Sequence, residues 1–421
     1  MKPGFVVVGA GFGGLWAVKR LAAAGVPVTL IDQRNYHTFF PLLYQVAAAE
    51  LGPTSIGYPV RSALRDMSHV RFRLGRVGGV DLQGRRVLLD DGAEEPYRTL
   101  LLSLGSVTHF FGVSGAEEHA FPLRWMNDAL ELRRHILTRF ELAARRQGEE
   151  RRRALTFIIV GGGATGVEFA GALAELVFGP VLADFPEFLP WDPRIVLVEG
   201  QDRVLGSMHP ELSAYAASRL ESRGVELRLG AQVGSVDVRG VSLEGADRID
   251  GDTVVWTAGV RGDPMFEGSG LEIGRGGRIV VEPTLQARGW PDVFVAGDLA
   301  LVEADGQPIP QVAAAAMQLG EAAAENILRR SEGARLLPFR YEDPGMMAVI
   351  GRYAAVAEIG GYRGGGLFAW VIWALVHIAN LIGFRSRLLV LVNWAWNYLS
   401  FRRAVRLILP DRDDSRGSVG G

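Results

Sequence analysis

The strongest constraint on this chain is a glycine pattern that occurs twice, each time between an apolar run and a helix-like stretch rich in small residues. In FVVVGAGFGGLWAVKRLAAAGVPVTLID the run Phe5 to Val8 predicts a strand, and Gly9, Gly11 and Gly14 occupy the G-x-G-x-x-G positions of the turn that follows. A helix is expected over about 13–24 and a second strand over about 27–31, ending at Asp32. The glycines have separate tasks: Gly9 makes the turn, Gly11 lets the backbone approach a pyrophosphate, and Gly14 lets helix and strand pack closely. The helix start then presents unpaired N–H groups and a positive dipole end to that anion. Asp32 lies where a carboxylate accepts a hydrogen bond from a ribose hydroxyl. A triplet alone is weak evidence. Strand, triplet, helix, strand and acid in that order point to a dinucleotide site, with a ligand-free βα turn as the alternative.

The pattern recurs in FIIVGGGATGVEFAGALAEL, where Gly161, Gly163 and Gly166 follow the apolar strand Thr156 to Val160. Its second strand, RIVLVEG, arrives late because a proline-bearing insert over 179–193 intervenes, and Glu199 ends it as Asp32 ends the first. A carboxylate there pairs with a 2′-hydroxyl and repels a 2′-phosphate, which favours NADH over NADPH. Arg203, just beyond, tempers that preference without reversing it. Two such units suggest one site for a bound flavin dinucleotide and one for an exchanging nicotinamide. In PDVFVAGDLA a third strand, over about 292–296, ends in Gly297 and Asp298 and precedes a helix over about 311–330. A returning strand of this kind is expected to complete the first unit, with Asp298 on the ribityl chain. The dipole of the helix start then stabilises charge on the reduced ring. For Asp298 the alternative is a helix or turn cap.

The 421 residues suggest two or three domains, and a formal charge of −2 offers no basic field for nucleic acid. Cysteine is absent, which excludes disulfides, thiolate-ligated metal and any redox-active Cys pair. His37, His109 and His377 show no metal-like spacing, so no metal is expected. After Met1 to Gly4 the chain enters the first strand directly, with no targeting segment in view.

With these pieces in place the chain resembles the two-dinucleotide-binding flavoproteins and, within them, the type II NADH:quinone oxidoreductases. The resemblance rests on GAGFGG at 9–14, NYHTFFPLLYQVA at 35–47, GGGATGVE at 161–168, WTAGV at 256–260, VFVAGD at 293–298 and GFRSRLLVLVNWAWNYLSFRRAVRLI at 383–408. The glycine fingerprints are common to many flavoenzymes, whereas PLLYQVA and the C-terminal stretch are more specific to this branch. The resemblance implies an α/β fold of two Rossmann-like domains: an FAD domain (1–118 and 266–330) split by an inserted NADH domain (119–265), then a C-terminal membrane-binding region (331–421). It also implies FAD as cofactor, NADH as substrate, hydride transfer to the flavin and delivery of two electrons to a membrane quinone, and it adds Gly105 to the cofactor set. No multi-span membrane segment is present, so no pump is implied. The missing cysteines set aside disulfide reductases, NADH peroxidases and sulfide:quinone oxidoreductases. A soluble ferredoxin- or rubredoxin-type reductase and a non-catalytic NADH-sensing flavoprotein remain as alternatives.

The C-terminus separates these. From Gly364 to Phe384 no formally charged residue occurs, long enough to raise a spanning helix, yet three glycines, His377 and Asn380 shorten its apolar part. In Leu388 to Phe401 the polar Asn393, Asn397 and Ser400 share one helical stripe. An interfacial helix pair over about 364–409 is expected, with Arg385, Arg387, Arg402 and Arg403 on anionic lipid and Trp370, Trp373, Trp394 and Trp396 in the headgroup layer. A spanning helix and a buried dimer interface are the alternatives, and a homodimer is kept among the partners. The expected location is the cytoplasmic face of a bacterial plasma membrane.

Two residues carry the expected chemistry, both by the resemblance. Glu168, placed in the first turn after Gly166, would hold the carboxamide or relay a proton; helix-dipole compensation is the alternative. Gln318 would line the quinone side, although Ala314 stands where many relatives carry a first glutamine and Gln311 lies one turn earlier. A plain alanine-rich helix is the alternative there.

Overall fold

The computed structural model describes residues 4–245, 247–304, 306–400 and 405–408. Arg402 and Arg403 therefore lie outside the described residues. The chain forms two compact units, the first from Met1–Thr38, Gly57–His109 and Val260–Pro344, the second from Phe39–Ile56, Phe110–Gly259 and Gly345–Gly421. The sequence reading cuts the chain near 118, 265 and 330, whereas the two units divide it after 38, 56, 109, 259 and 344.

Unit one is built on a sheet ordered Gln286–Ala287, Trp290–Val295, Glu94–Leu102, Gly4–Val8, Val28–Asp32, Val70–Leu74. Its inner strands run parallel, with Val7 opposite both Leu30 and Leu101. Parallel strands are covered on both faces and so read as unbroken apolar runs, as FVVV and LLL do here. The returning strand Trp290–Val295 lies parallel to Glu94–Leu102, pairing Val295 with Leu102, so it completes the sheet begun at Gly4. Helix Phe12–Ala23 packs against helix Ala313–Ser331.

Unit two holds a parallel sheet ordered Phe121–Pro122, Thr253–Trp256, Thr156–Val160, Arg194–Glu199, Val225–Leu229. It also holds an antiparallel sheet of Met346–Gly351, Ala354–Ile359 and Tyr362–Gly366. Helix Ala164–Leu176 joins them: a Cβ on Gly171 would stand 2.0 Å from Ile350 O, so only glycine lets the helix lie flush on the edge strand. The segment Phe39–Ile56 belongs here because its short helix Leu43–Ala47, buried throughout, packs on helices Met126–Ala143 and Ala164–Leu176. Five residues carry too little helical signal for that excursion to be read from sequence.

The helical stretch Ala164–Asp184 is long and apolar enough to cross a membrane, but 67% of its apolar window is buried in the fold, which makes it a core helix. Helix Leu367–Asn380 has 14 residues. At about 1.5 Å per residue it reaches roughly 21 Å, short of a hydrocarbon layer of about 30 Å. Helix Phe384–Ser400 follows it.

Candidate active site

In unit one Gly9 has φ +102°, and a Cβ on it would stand 2.1 Å from Ser103 O. One on Gly14 would stand 1.8 Å from Gly9 O, so turn, strand and helix meet backbone to backbone. Gly11 differs: a Cβ there would meet nothing within 4 Å, and helix Phe12–Ala23 begins with neither a side-chain cap nor an acid in its first turn. Open space before an uncapped helix start suits an anion. Asp32 holds the turn, its Oδ2 accepting from Ala10 N–H at 2.6 Å and its Oδ1 from Arg34 N–H at 2.7 Å. Burial pushes its pKa upward against these bonds. His37, expected from sequence to be structural, is paired through Nδ1 with Ala10 O at 2.9 Å, while its buried Nε2 has no partner. Burial lowers its pKa to about 4, so the ring is neutral. An orphaned nitrogen beside the glycine turn fits a bound dinucleotide, and only the NYH of the family motif could have flagged it.

At the returning strand Gly297 has φ +73° and Gly105 φ +80°. Ser106 Oγ donates to Asp298 Oδ2 at 2.7 Å, and Gln311 Nε2 donates to Asp298 O at 3.1 Å. Helix Ala313–Ser331 begins at Val312 with no side-chain cap, so Asp298 does not act as its cap. The residues present thus fit FAD: two uncapped helix starts, an acid tied by Ser106, and glycines where backbone must approach. The Gln318 amide clasps the Glu342 backbone in both directions, its Nε2 donating to Glu342 O at 2.8 Å and its Oε1 accepting from Glu342 N–H at 3.0 Å.

In unit two Gly161 has φ +108°, and a Cβ on Gly166 would stand 1.8 Å from Gly161 O. Gly163 caps helix Ala164–Leu176 without a side-chain bond and faces open space, repeating the logic of Gly11. Glu199 Oε2 accepts from Gly162 N–H and Oε1 from Gln201 N–H at 2.8 Å. Arg203 Nη2 donates to Gly206 O at 3.0 Å, so its guanidinium is held by a carbonyl.

Glu168 sits one residue beyond the first turn of its helix, which contains no acid. Only 8% exposed, it accepts from Val349 N–H at 3.2 Å. That N–H belongs to the edge strand Met346–Gly351, and Glu168 lies one turn before Gly171 on the same face. Burial pushes the carboxyl up to about 8 against the pull of the Val349 amide and the nearby Trp373 indole. Trp373 Nε1 makes no hydrogen bond of ordinary geometry, so the Val349 bond is the firm one. Below that pKa the group is a protonated acid, which dipole compensation does not explain.

The C-terminal helices differ in part from expectation. Trp373 is 1% and Trp394 4% exposed, so these rings pack inside unit two rather than in a headgroup layer. They lie 5.2 Å apart, and Trp394 Nε1 donates to Gln45 Oε1 at 2.9 Å while Gln45 Nε2 donates to Tyr44 OH at 2.9 Å. Of the polar stripe, Asn397 turns inward, its Nδ2 donating to Glu50 O at 3.1 Å. Arg387 donates to Leu381 O and Ala379 O, both at 2.9 Å, capping the preceding helix. Facing outward are Leu367, Phe368, Leu375, Phe384, Val392 and Trp396, while Arg385 is exposed and Trp370 half-buried.

Residues 4–320 match the family model of pyridine nucleotide-disulphide oxidoreductases, and residues 344–403 that of the NDH2 C-terminal domain. Mycobacterium tuberculosis (strain ATCC 25618 / H37Rv) has a type II NADH:quinone oxidoreductase 40% identical to this chain, covering 97% of it and 90% of the relative. The type II NADH:quinone oxidoreductase of Staphylococcus aureus (strain NCTC 8325 / PS 47) is 32% identical, over 85% of this chain and 89% of the relative. In fold the chain is similar to NDH2 from Plasmodium falciparum in complex with NADH, with TM-score 0.88 at 17% identity, covering 97% of this chain and 100% of that one.

Proposed function

The chain belongs to the pyridine nucleotide-disulphide oxidoreductase family and, within it, to the type II NADH:quinone oxidoreductases, and from that premise we propose how its residues divide the work. The reaction passes two electrons from NADH to a membrane quinone without proton pumping, with FAD as cofactor. When bound, FAD supplies a two-electron acceptor for the NADH hydride and a donor for quinone.

Unit one holds FAD. Gly9, Gly11 and Gly14 admit its pyrophosphate, Asp32 takes the ribose, and Gly105, Gly297 and Asp298 receive the flavin end. Unit two holds NADH, with Gly161, Gly163 and Gly166 on the pyrophosphate and Glu199 on the adenosine ribose. Arg203, held by Gly206, leaves Glu199 free to reject a 2′-phosphate, which supports preference for NADH. Glu168, a buried acid that keeps its proton at neutral pH, donates a hydrogen bond to the carboxamide or releases its proton towards quinone.

The observation that carries quinone as acceptor is the outward apolar face of the two C-terminal helices, for which a soluble reductase has no use. The enzyme lies on the cytoplasmic face of a bacterial plasma membrane, those helices flat in the interface. The same face would serve a homodimer, and sedimentation with and without detergent separates the two. Purified protein should oxidise NADH with a short-chain quinone and not with ferredoxin. The reverse pattern selects the soluble ferredoxin-type reductase, and no turnover with either selects the NADH-sensing module.

A further inference from the structure

The insert between helix Ala164–Leu176 and strand Arg194–Glu199 serves neither dinucleotide turn. It is braced from within. Phe185 and Phe188 stack at 5.5 Å and both lie against Phe140, at 5.8 and 6.2 Å. The Leu189 N–H donates to Asp192 Oδ2 at 2.9 Å. From this base Leu189 projects 50% exposed and Trp191 74% exposed. A large aromatic ring held out on a braced loop is the kind of exposed apolar feature that marks an interaction surface.

Two contacts bring this loop beside the end of the membrane helices. Glu175, just before the insert, accepts from Arg352 N–H, and the Arg352 guanidinium donates to Asn397 O of helix Phe384–Ser400 at 2.8 Å. Beyond that helix, Arg406 pairs with Asp184, inside the insert, at 2.9 Å. Leu407 and Ile408, next in the chain, are exposed. Leu407 and Ile408 thus place exposed apolar side chains beside the Arg406–Asp184 pair at the insert.

We propose that the insert is a second lipid contact, with Trp191 and Leu189 seated at the headgroup–acyl boundary of the membrane that takes the two C-terminal helices. The proposal rests on the membrane reading above. Tryptophan favours that layer because its ring is apolar and its N–H remains wet. The insert, 179–193, has no basic residue to attract anionic lipid; of its three acids Asp184 is paired with Arg406, Asp192 accepts from the Leu189 amide and Glu187 is exposed. The contact is therefore apolar, and it persists in zwitterionic bilayers and at high salt, where binding through arginine weakens.

Because the chain has no cysteine, single Trp191→Cys and Leu388→Cys variants of the full-length holoenzyme each accept one environment-sensitive fluorophore. Added to phosphatidylcholine vesicles, with and without phosphatidylglycerol, both labels should blue-shift and be quenched by spin-labelled lipid, the Trp191 site equally in both compositions. An immersed Leu388 label with the Trp191 label still in water overturns the proposal and leaves the anchor standing. Both labels in water overturn the proposal together with the anchor. As a check independent of labelling, Trp191→Glu should weaken vesicle partitioning about threefold to tenfold, with Trp191→Phe recovering most of it. Equal partitioning of all three proteins contradicts the second contact.

Discussion

The two glycine turns obey one logic and end in different chemistry. Each brings backbone onto backbone at its first and third glycines and leaves open space at its second, before an uncapped helix start. They part company in the helix that follows. Phe12–Ala23 is packed against a second helix and carries no acid, whereas Ala164–Leu176 carries Glu168, buried, bonded to an edge strand and with its pKa pushed up to about 8 by burial. The difference teaches that the motif specifies where a dinucleotide lies, and the helix specifies what is done to it. On the reading proposed above, one turn keeps its ligand and the other exchanges it.

The largest expected effect breaks the two turns apart. A Cβ at Gly11 or Gly163 meets no protein atom and both positions have negative φ, so valine there leaves the fold intact and obstructs only the ligand. Gly11→Val should purify without flavin absorbance. Gly163→Val should keep its flavin while KM for NADH rises about tenfold to a hundredfold, an obstruction of roughly 1.4–3 kcal/mol. Flavin lost from Gly163→Val, or retained by Gly11→Val, would contradict the assignment of the units.

Next comes Glu168→Gln, which keeps shape and the Val349 bond. The folded pKa of Glu168 is raised from 4.5 to about 8, so the native state holds a proton that the unfolded chain has released. Its contribution is present in full below about pH 4.5 and declines as pH rises, until it is lost above about pH 8, on the order of a few kcal/mol in all. Urea midpoints of the native and Gln proteins should therefore agree at pH 5 and diverge towards pH 9, the Gln variant the more stable. Parallel curves across that range would mean that Glu168 is ionised in the fold.

Gln45→Leu should cost about 1–3 kcal/mol, because it leaves the buried Trp394 N–H without an acceptor. The damage should stay local, with faster proteolysis after Phe384 and no change in flavin content. The smallest effect is expected from Glu199→Gln, which removes the charge repelling a 2′-phosphate. The NADPH to NADH ratio of kcat/KM should rise about tenfold, and an unchanged ratio would remove Glu199 from the ribose site.

Legibility from sequence follows the range of the interactions. The strands, both turns, Asp32, Glu199 and the returning strand Trp290–Val295 are local patterns, each written in a few neighbouring residues, and the structure has them where they were expected. What escaped depends on distant partners. Trp394 reads as an interfacial ring until Gln45, 349 residues earlier, supplies its acceptor. Arg387 reads as a lipid ligand until two helix-end carbonyls claim it. The polar stripe of the second helix is legible as a stripe, but periodicity does not say which face meets protein. Here Asn397 of the stripe bonds inward to Glu50 O, and Leu388, Leu391, Val392 and Trp396 of the same helix are exposed.

The central claim is that one unit holds a flavin reducible by NADH and that a quinone re-oxidises it. An anaerobic titration of the purified protein, followed by flavin absorbance, tests it most directly. One equivalent of NADH should bleach the flavin, and one equivalent of short-chain quinone should restore it. A flavin that NADH leaves oxidised, or one bleached by NADH that ferredoxin restores and quinone does not, would contradict the account.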